Sequence, residues 1–208
     1  MKLYLAPGAC SLASHIVLNE LGMTYDTSVV NLKTKTCTEG DFTKINPKGY
    51  VRVLKLDNNE VLTEGVVIMK YLADQKPKSN LVPKNGTIDM YRCMEWMNYI
   101  TSEVHKGFSP LFAATNISAN PETQMEVKTY YKNCLFSKFD YINEKLGNND
   151  FLMGSHFTIC DAYLFTCLNW NKYVDIEYTK WPKISSYLSR IYKRDSVQKA
   201  MASEGLLK

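Results

Sequence analysis

The chain has 208 residues, 45% of them hydrophobic and 22% charged, and a formal charge of +4. That is an ordinary globular composition, long enough for one large domain or two small ones. It shows neither a dense Lys/Arg block nor a run of about 18 apolar residues, so nucleic-acid binding and a membrane span find no support.

The chain opens with a short strand signal, Lys2 to Leu5, and a Pro7-Gly8 turn. Cys10 then begins a helical stretch that ends at Gly22. Tyr25–Val30 has strand propensity, and the following polar stretch, NLKTKTCTEGDF, reads as a loop. Asn46-Pro47-Lys48-Gly49 is a turn. Val51–Leu56 alternates as a strand, Asp57–Glu60 makes a hairpin turn, and Val61-Leu62 continue the second arm. Val66, Met69, Leu72 and Ala73 mark a short helix. The order βαβ, ββ, α describes a small α/β domain over 1–78.

Residues 75–86, rich in Pro, Asn, Lys and Gly, form a linker. Beyond it, 87–208 reads as all helical. The segment 87–107 carries a core stripe of Trp96, Ile100, Val104 and Phe108, and a second, mostly polar stripe of Met94, Asn98, Thr101 and His105. Further helices are expected over 122–146, over 159–173 (apolar throughout, hence central) and over Trp181–Arg194. Thr158 and Asp161 have the spacing of a capping box, with Phe157 at the staple position.

Six cysteines stand at 10, 37, 93, 134, 160 and 167. None forms a C-x-x-C pair, and three scattered histidines give no metal spacing. Without a signal pattern, cytoplasmic residence and unbonded thiols are expected. Cys93, Cys134, Cys160 and Cys167 read as core residues of helices, Cys37 as an exposed loop residue. Cys10 is different. A thiol at the first turn of a helix meets unpaired backbone N–H groups and the positive end of the dipole, which favour the reactive thiolate. His15 falls on another face of that helix and reads as a packing or surface residue. Glu64 and Gly65 open the short helix, where a carboxylate caps or grips a ligand ammonium and backbone N–H groups accept a ligand carboxylate. His105 is either a helix-end residue or an imidazole available to a sulfur. Lys35 by composition is a solvated lysine.

The strings MKLYLAPGACSLASHI, NPKGYV, LTEGVVIMKYLAD, EWMNYITSEVHKGFSPLF, FTICDAYLF and EGLLK are spread over nearly the whole chain. Together they resemble the bacterial beta class of glutathione transferases. The resemblance implies a thioredoxin-like N-terminal domain followed by an all-α domain that completes a hydrophobic pocket, in a homodimer. It implies glutathione as co-substrate, no metal, and small hydrophobic electrophiles as acceptors. It places Cys10 at the glutathione sulfur, able to form a mixed disulfide, and His105 as a second catalytic residue. Lys35 and Lys106 become partners for carboxylates, Val51 a backbone partner for the cysteinyl part, Glu64 and Gly65 the holders of the γ-glutamyl end, and Asn98 a further contact. Phe108, Phe112 and Tyr163 either line the acceptor pocket or pack the core, with the core reading first.

One position departs from the family. Its pattern after the turn is Gln-Val-Pro with a cis proline, where this chain has Tyr50-Val51-Arg52. A non-proline cis bond costs about 2.5–4 kcal/mol, so a trans bond and a reshaped loop are expected. The functional expectation is glutathione conjugation. Its alternatives are monothiol disulfide exchange through Cys10 and a non-enzymatic binding protein for apolar ligands.

Overall fold

The computed structural model describes residues 1–207, which divide into two compact units, 1–83 with 191–207, and Lys84–Arg190. The first division falls within the expected linker. The last stretch, expected with the helical domain, groups instead with the N-terminal unit.

In the first unit, β1 (Lys2–Leu5) leads to α1 (Ser11–Glu20) and β2 (Asp26–Val29). The stretch expected as a loop contains a small hairpin, β3 (Thr36–Cys37) and β4 (Gly40–Asp41), because Asn31 N–H and Phe42 N–H close on the carbonyls of Thr36 and Lys35. Next come β5 (Val53–Lys55), β6 (Val61–Thr63) and α2 (Gly65–Gln75). The four-stranded sheet has the order β2-β1-β5-β6, with β1 parallel to β2 and antiparallel to β5, and β5 antiparallel to β6. The β5–β6 turn closes through Leu56 and Glu60, as the sequence indicates.

Side chains alternate across β1. Tyr4 packs with Ala6, Val30, Phe42, Val51 and Val53 in one buried cluster, while Leu3 and Leu5 are buried too. In α1 the run Ser11 to Leu18 is buried throughout, since α2 packs against it and so does a later helix of the same unit. The C-terminus of α1 is a Schellman motif: Gly22 takes φ +56°, its N–H reaches Asn19 and Met23 N–H reaches Leu18.

The second unit begins with α3 (Ile88–Tyr99), capped by the Thr87 side chain on Met90 N–H. The sequence predicts one helix through residue 107. Instead, Ile100–His105 is a π-helical turn leading into α4 (Lys106–Phe112). Three local features accompany it. Thr101 and Ser102 hydroxyls donate to the carbonyls of Met97 and Asn98, and Pro110 within α4 lacks an N–H. The buried line is Met90, Cys93, Met97, Ile100, Val104 and Phe108. Trp96, expected in the core, is half-buried beside Tyr99 and Tyr141.

The long α5 (Pro121–Leu146) buries only Leu135, Phe139, Ile142 and Leu146; Cys134, expected in the core, is half-buried. It approaches α4 so closely that a Cβ on Gly107 would lie 2.7 Å from Leu135 Cδ2. All of α6 (Ile159–Leu168) is buried, as its apolar sequence requires, and α7 (Pro182–Tyr192) follows. The last helix, α8 (Asp195–Ser203), was not resolved as a separate element by periodicity; it belongs to the first unit, where it packs on α1.

The capping box forms at the start of α6. Asp161 Oδ2 accepts from Thr158 N–H at 2.9 Å and from its hydroxyl at 3.0 Å, and Oδ1 accepts from Leu152 N–H at 2.9 Å and Tyr187 OH at 3.0 Å. Phe157 finds its partner in Phe151, edge to face at 5.9 Å.

Candidate active site

Cys10 is the N-cap of α1, and its side chain makes no capping bond to the helix. The turn before it is held tightly. Gly8 adopts φ +72°, Ala9 N–H donates to Ala6, and the Ser11 hydroxyl accepts from Ala6 N–H at 3.2 Å. Gly8 N–H donates to Glu204 Oε2 at 2.9 Å, and the other oxygen of that buried carboxylate meets His15 Nδ1 at 2.8 Å. His15 is therefore a core residue tied to the end of the chain; Tyr25 stands edge-on against it. Glu204 is one residue that sequence reasoning missed, because its partners are distant in sequence.

The Cys10 side chain is half-buried and packs on the cluster that holds Val51. Burial pushes its thiol up; the Arg52 guanidinium and the N–H groups of residues 10 and 11 pull it down, and Glu64 pushes it up further. The net direction is upward. Against the expected thiolate, desolvation outweighs the helix end and the arginine.

Of the other candidates in this unit, Val51 is buried and followed by a trans bond, as expected; Arg52 then takes φ +84°. Glu64 also has positive φ, +69°, and leaves α2 uncapped by its side chain, which pairs with Lys48 Nζ at 2.5 Å instead. Gly65 is buried under Arg52. Lys35 is not a freely solvated lysine: its Nζ donates to the Gly49 carbonyl at 2.9 Å, beside the Tyr50 ring. Cys37, expected to be exposed, is half-buried against the same cluster as Cys10.

His105, Asn98 and Lys106 belong to the second unit. His105 Nδ1 lies 2.7 Å from Tyr163 OH, and its ring rests on Trp170 at 4.9 Å. Trp170 was not singled out by sequence; it also meets Phe108 and Phe112. Phe108 and Tyr163 are core residues, whereas Phe112 is half exposed, contrary to its core reading. Asn98 and Lys106 are exposed. Cys93 and Cys160 are buried with their sulfurs 3.4 Å apart, and none of the six cysteines forms a disulfide.

Residues 8–75 match the model of the glutathione S-transferase N-terminal domain and residues 101–195 that of its C-terminal domain. The chain is 43% identical to the Escherichia coli glutathione S-transferase GstA over 99% of its length and all of that protein. It belongs to the glutathione S-transferase family. The beta-class resemblance agrees with the solved structures. The Sphingomonas chungbukensis beta-class glutathione S-transferase is 39% identical, with a TM-score of 0.89 over the whole of both chains. A sphingomonad glutathione S-transferase complexed with glutathione is 37% identical, with a TM-score of 0.91 over the whole of both chains. The N-terminal unit of this glutathione S-transferase is accordingly the thioredoxin-like domain of the family, and the helical unit its all-α domain.

Proposed function

We propose that this chain conjugates reduced glutathione to small hydrophobic electrophiles, with Cys10 at the glutathione sulfur. The observation that carries the reading is the convergence, within one unit, of three features. They are a half-buried thiol at the start of α1, Val51 in the cluster beneath it, and the start of α2 at Glu64–Gly65 beside Arg52. Glutathione has two carboxylates, an ammonium and a thiol. Glu64 suits the ammonium, the N–H groups at Gly65 a carboxylate, Val51 the cysteinyl backbone, and Lys35 the other carboxylate. The family resemblance makes His105, Asn98 and Lys106, all in the second unit, further candidates for glutathione contact. In the same unit Phe112, half exposed, offers apolar surface to an electrophile.

The upward push on Cys10 supports a part for it in conjugation as a hydrogen-bond donor. A protonated thiol donates a hydrogen bond to a bound glutathione thiolate, which then adds to the electrophile. The glutathione proton leaves to solvent. A mixed disulfide forms by a separate step: the minor Cys10 thiolate attacks glutathione disulfide, one S–S bond is exchanged for another, and glutathione thiolate departs. A further glutathione thiolate reverses it. That route speeds up with pH as the thiolate fraction grows.

We infer from the family resemblance that the protein works as a homodimer in the cytoplasm; the exposed Ile88 and Tyr91 at the start of α3 support an interface there. The test is conjugation of chlorodinitrobenzene by wild type and Cys10→Ser, with mass spectrometry after exposure to glutathione disulfide. Wild type should conjugate and gain one glutathione; Cys10→Ser should gain none and conjugate more slowly. Wild type that neither conjugates nor retains glutathione at millimolar concentration would instead make it a binding protein.

A further inference from the structure

Position 52 is where this chain parts from its family, and the arginine there has a defined seat. Val51 is anchored in the cluster that packs on Cys10, and the chain then turns through a positive φ that non-glycine residues seldom adopt. The Arg52 stem lies on the bare Cα of Gly65. A Cβ at residue 65 would stand 2.6 Å from its Cδ and 3.4 Å from a guanidinium nitrogen. A glycine as first residue of α2 is what admits the arginine, and the half-buried residue 52 is held at that helix start.

We propose that Arg52 is a specificity-determining residue of the Cys10 site: its guanidinium, seated on Gly65, gives the sulfur a cationic neighbour and so selects reactants that bring negative charge there. The inference rests on the glutathione reading only for the identity of those reactants, a thiolate or an anionic electrophile. A proline at 52 would supply no charge at all. The electrostatic balance at the thiol agrees, since Arg52 is the strongest influence favouring its ionised form. Glu64, from the start of α2, acts in the opposite sense and is itself paired with Lys48. Lys35 is engaged with the Gly49 carbonyl on the neighbouring loop, and His15 with Glu204.

The test alkylates Cys10 with neutral iodoacetamide and anionic iodoacetate in the full chain, using Cys10→Ser to subtract the other thiols. In each reaction the Cys10 thiolate forms the C–S bond, iodide leaves and the thiol proton passes to buffer. The neutral reagent reports how open the thiol is, so the ratio of the two rates isolates charge. In Arg52→Met the anionic-to-neutral ratio should fall about fivefold at low salt. In Arg52→Lys it should stay near wild type, and in wild type it should shrink as salt is added. An unchanged ratio in Arg52→Met, or a loss in Arg52→Lys equal to that in Arg52→Met, would overturn the proposal. No glutathione enters this assay. A charge effect without conjugation would therefore refute the transferase reading and leave Arg52 standing, and conjugation without a charge effect would do the reverse.

Discussion

Two helix starts in this molecule hold a buried or half-buried ionisable group, and they treat it in opposite ways. At α6, in the second unit, Asp161 receives four hydrogen bonds, from Thr158 N–H, Thr158 OH, Leu152 N–H and Tyr187 OH. At α1, in the first unit, Cys10 makes no capping bond and stays half-buried, beneath a turn fixed by Glu204, Ser11 and Gly8. The first arrangement closes the helix end and ties α6 to α7. The second holds the backbone firmly and leaves the thiol outside the capping bonds. A helix N-terminus is thus structural where its donors are consumed by a capping side chain, and suited to chemistry where the group beside them does not cap it.

The contrast can be broken by mutation. The largest effect is expected for Asp161→Ala, which strips four donors of their acceptor in a fully buried place. Urea unfolding should show a loss of about 3–5 kcal/mol. Glu204→Ala comes next, at about 3 kcal/mol, because it leaves a buried histidine and Gly8 N–H without their acceptor. Unlike Asp161→Ala, it should also change the alkylation rate of Cys10, two residues beyond Gly8. Tyr187→Phe removes one of the four donors and should cost about 1 kcal/mol. Cys10→Ala should cost about 1 kcal/mol or less. A penalty for Cys10→Ala as large as that for Asp161→Ala would make the two helix starts alike and defeat the comparison.

The smallest expected effect is a pH dependence. Burial raises the Asp161 carboxyl above its ordinary value of 3.8, against its hydrogen bonds. The folded state therefore binds this proton more tightly than the unfolded chain does. Its contribution to stability is greatest below the unfolded value and declines as pH rises through the folded one. Asp161→Asn lacks this term, so its deficit relative to wild type should narrow as pH rises above the ordinary carboxyl value of 3.8. A widening deficit over that rise, measured by urea unfolding, would reverse the assignment.

Much of this was legible because its causes are local. The capping box needs only Thr158 and Asp161 at their spacing, the sheet follows from alternation around Tyr4 and Val53, and Gly22 marks the end of α1. The trans bond at Val51–Arg52 follows from the absence of a proline. What escaped depends on distant partners. The His15–Glu204 contact joins residues 189 apart, and α8 is placed by its packing on α1. The direction of the Cys10 shift depends on burial that no helix-end argument contains. The π turn at Ile100–His105 and the seat of Arg52 on Gly65 likewise require coordinates.

The most direct measurement is a structure of this protein crystallised with reduced glutathione. The glutathione sulfur should lie within about 4 Å of Cys10 Sγ, with the γ-glutamyl end at Glu64 and Gly65. A fully occupied tripeptide whose sulfur points away from Cys10, or which binds clear of the start of α2, would contradict the account.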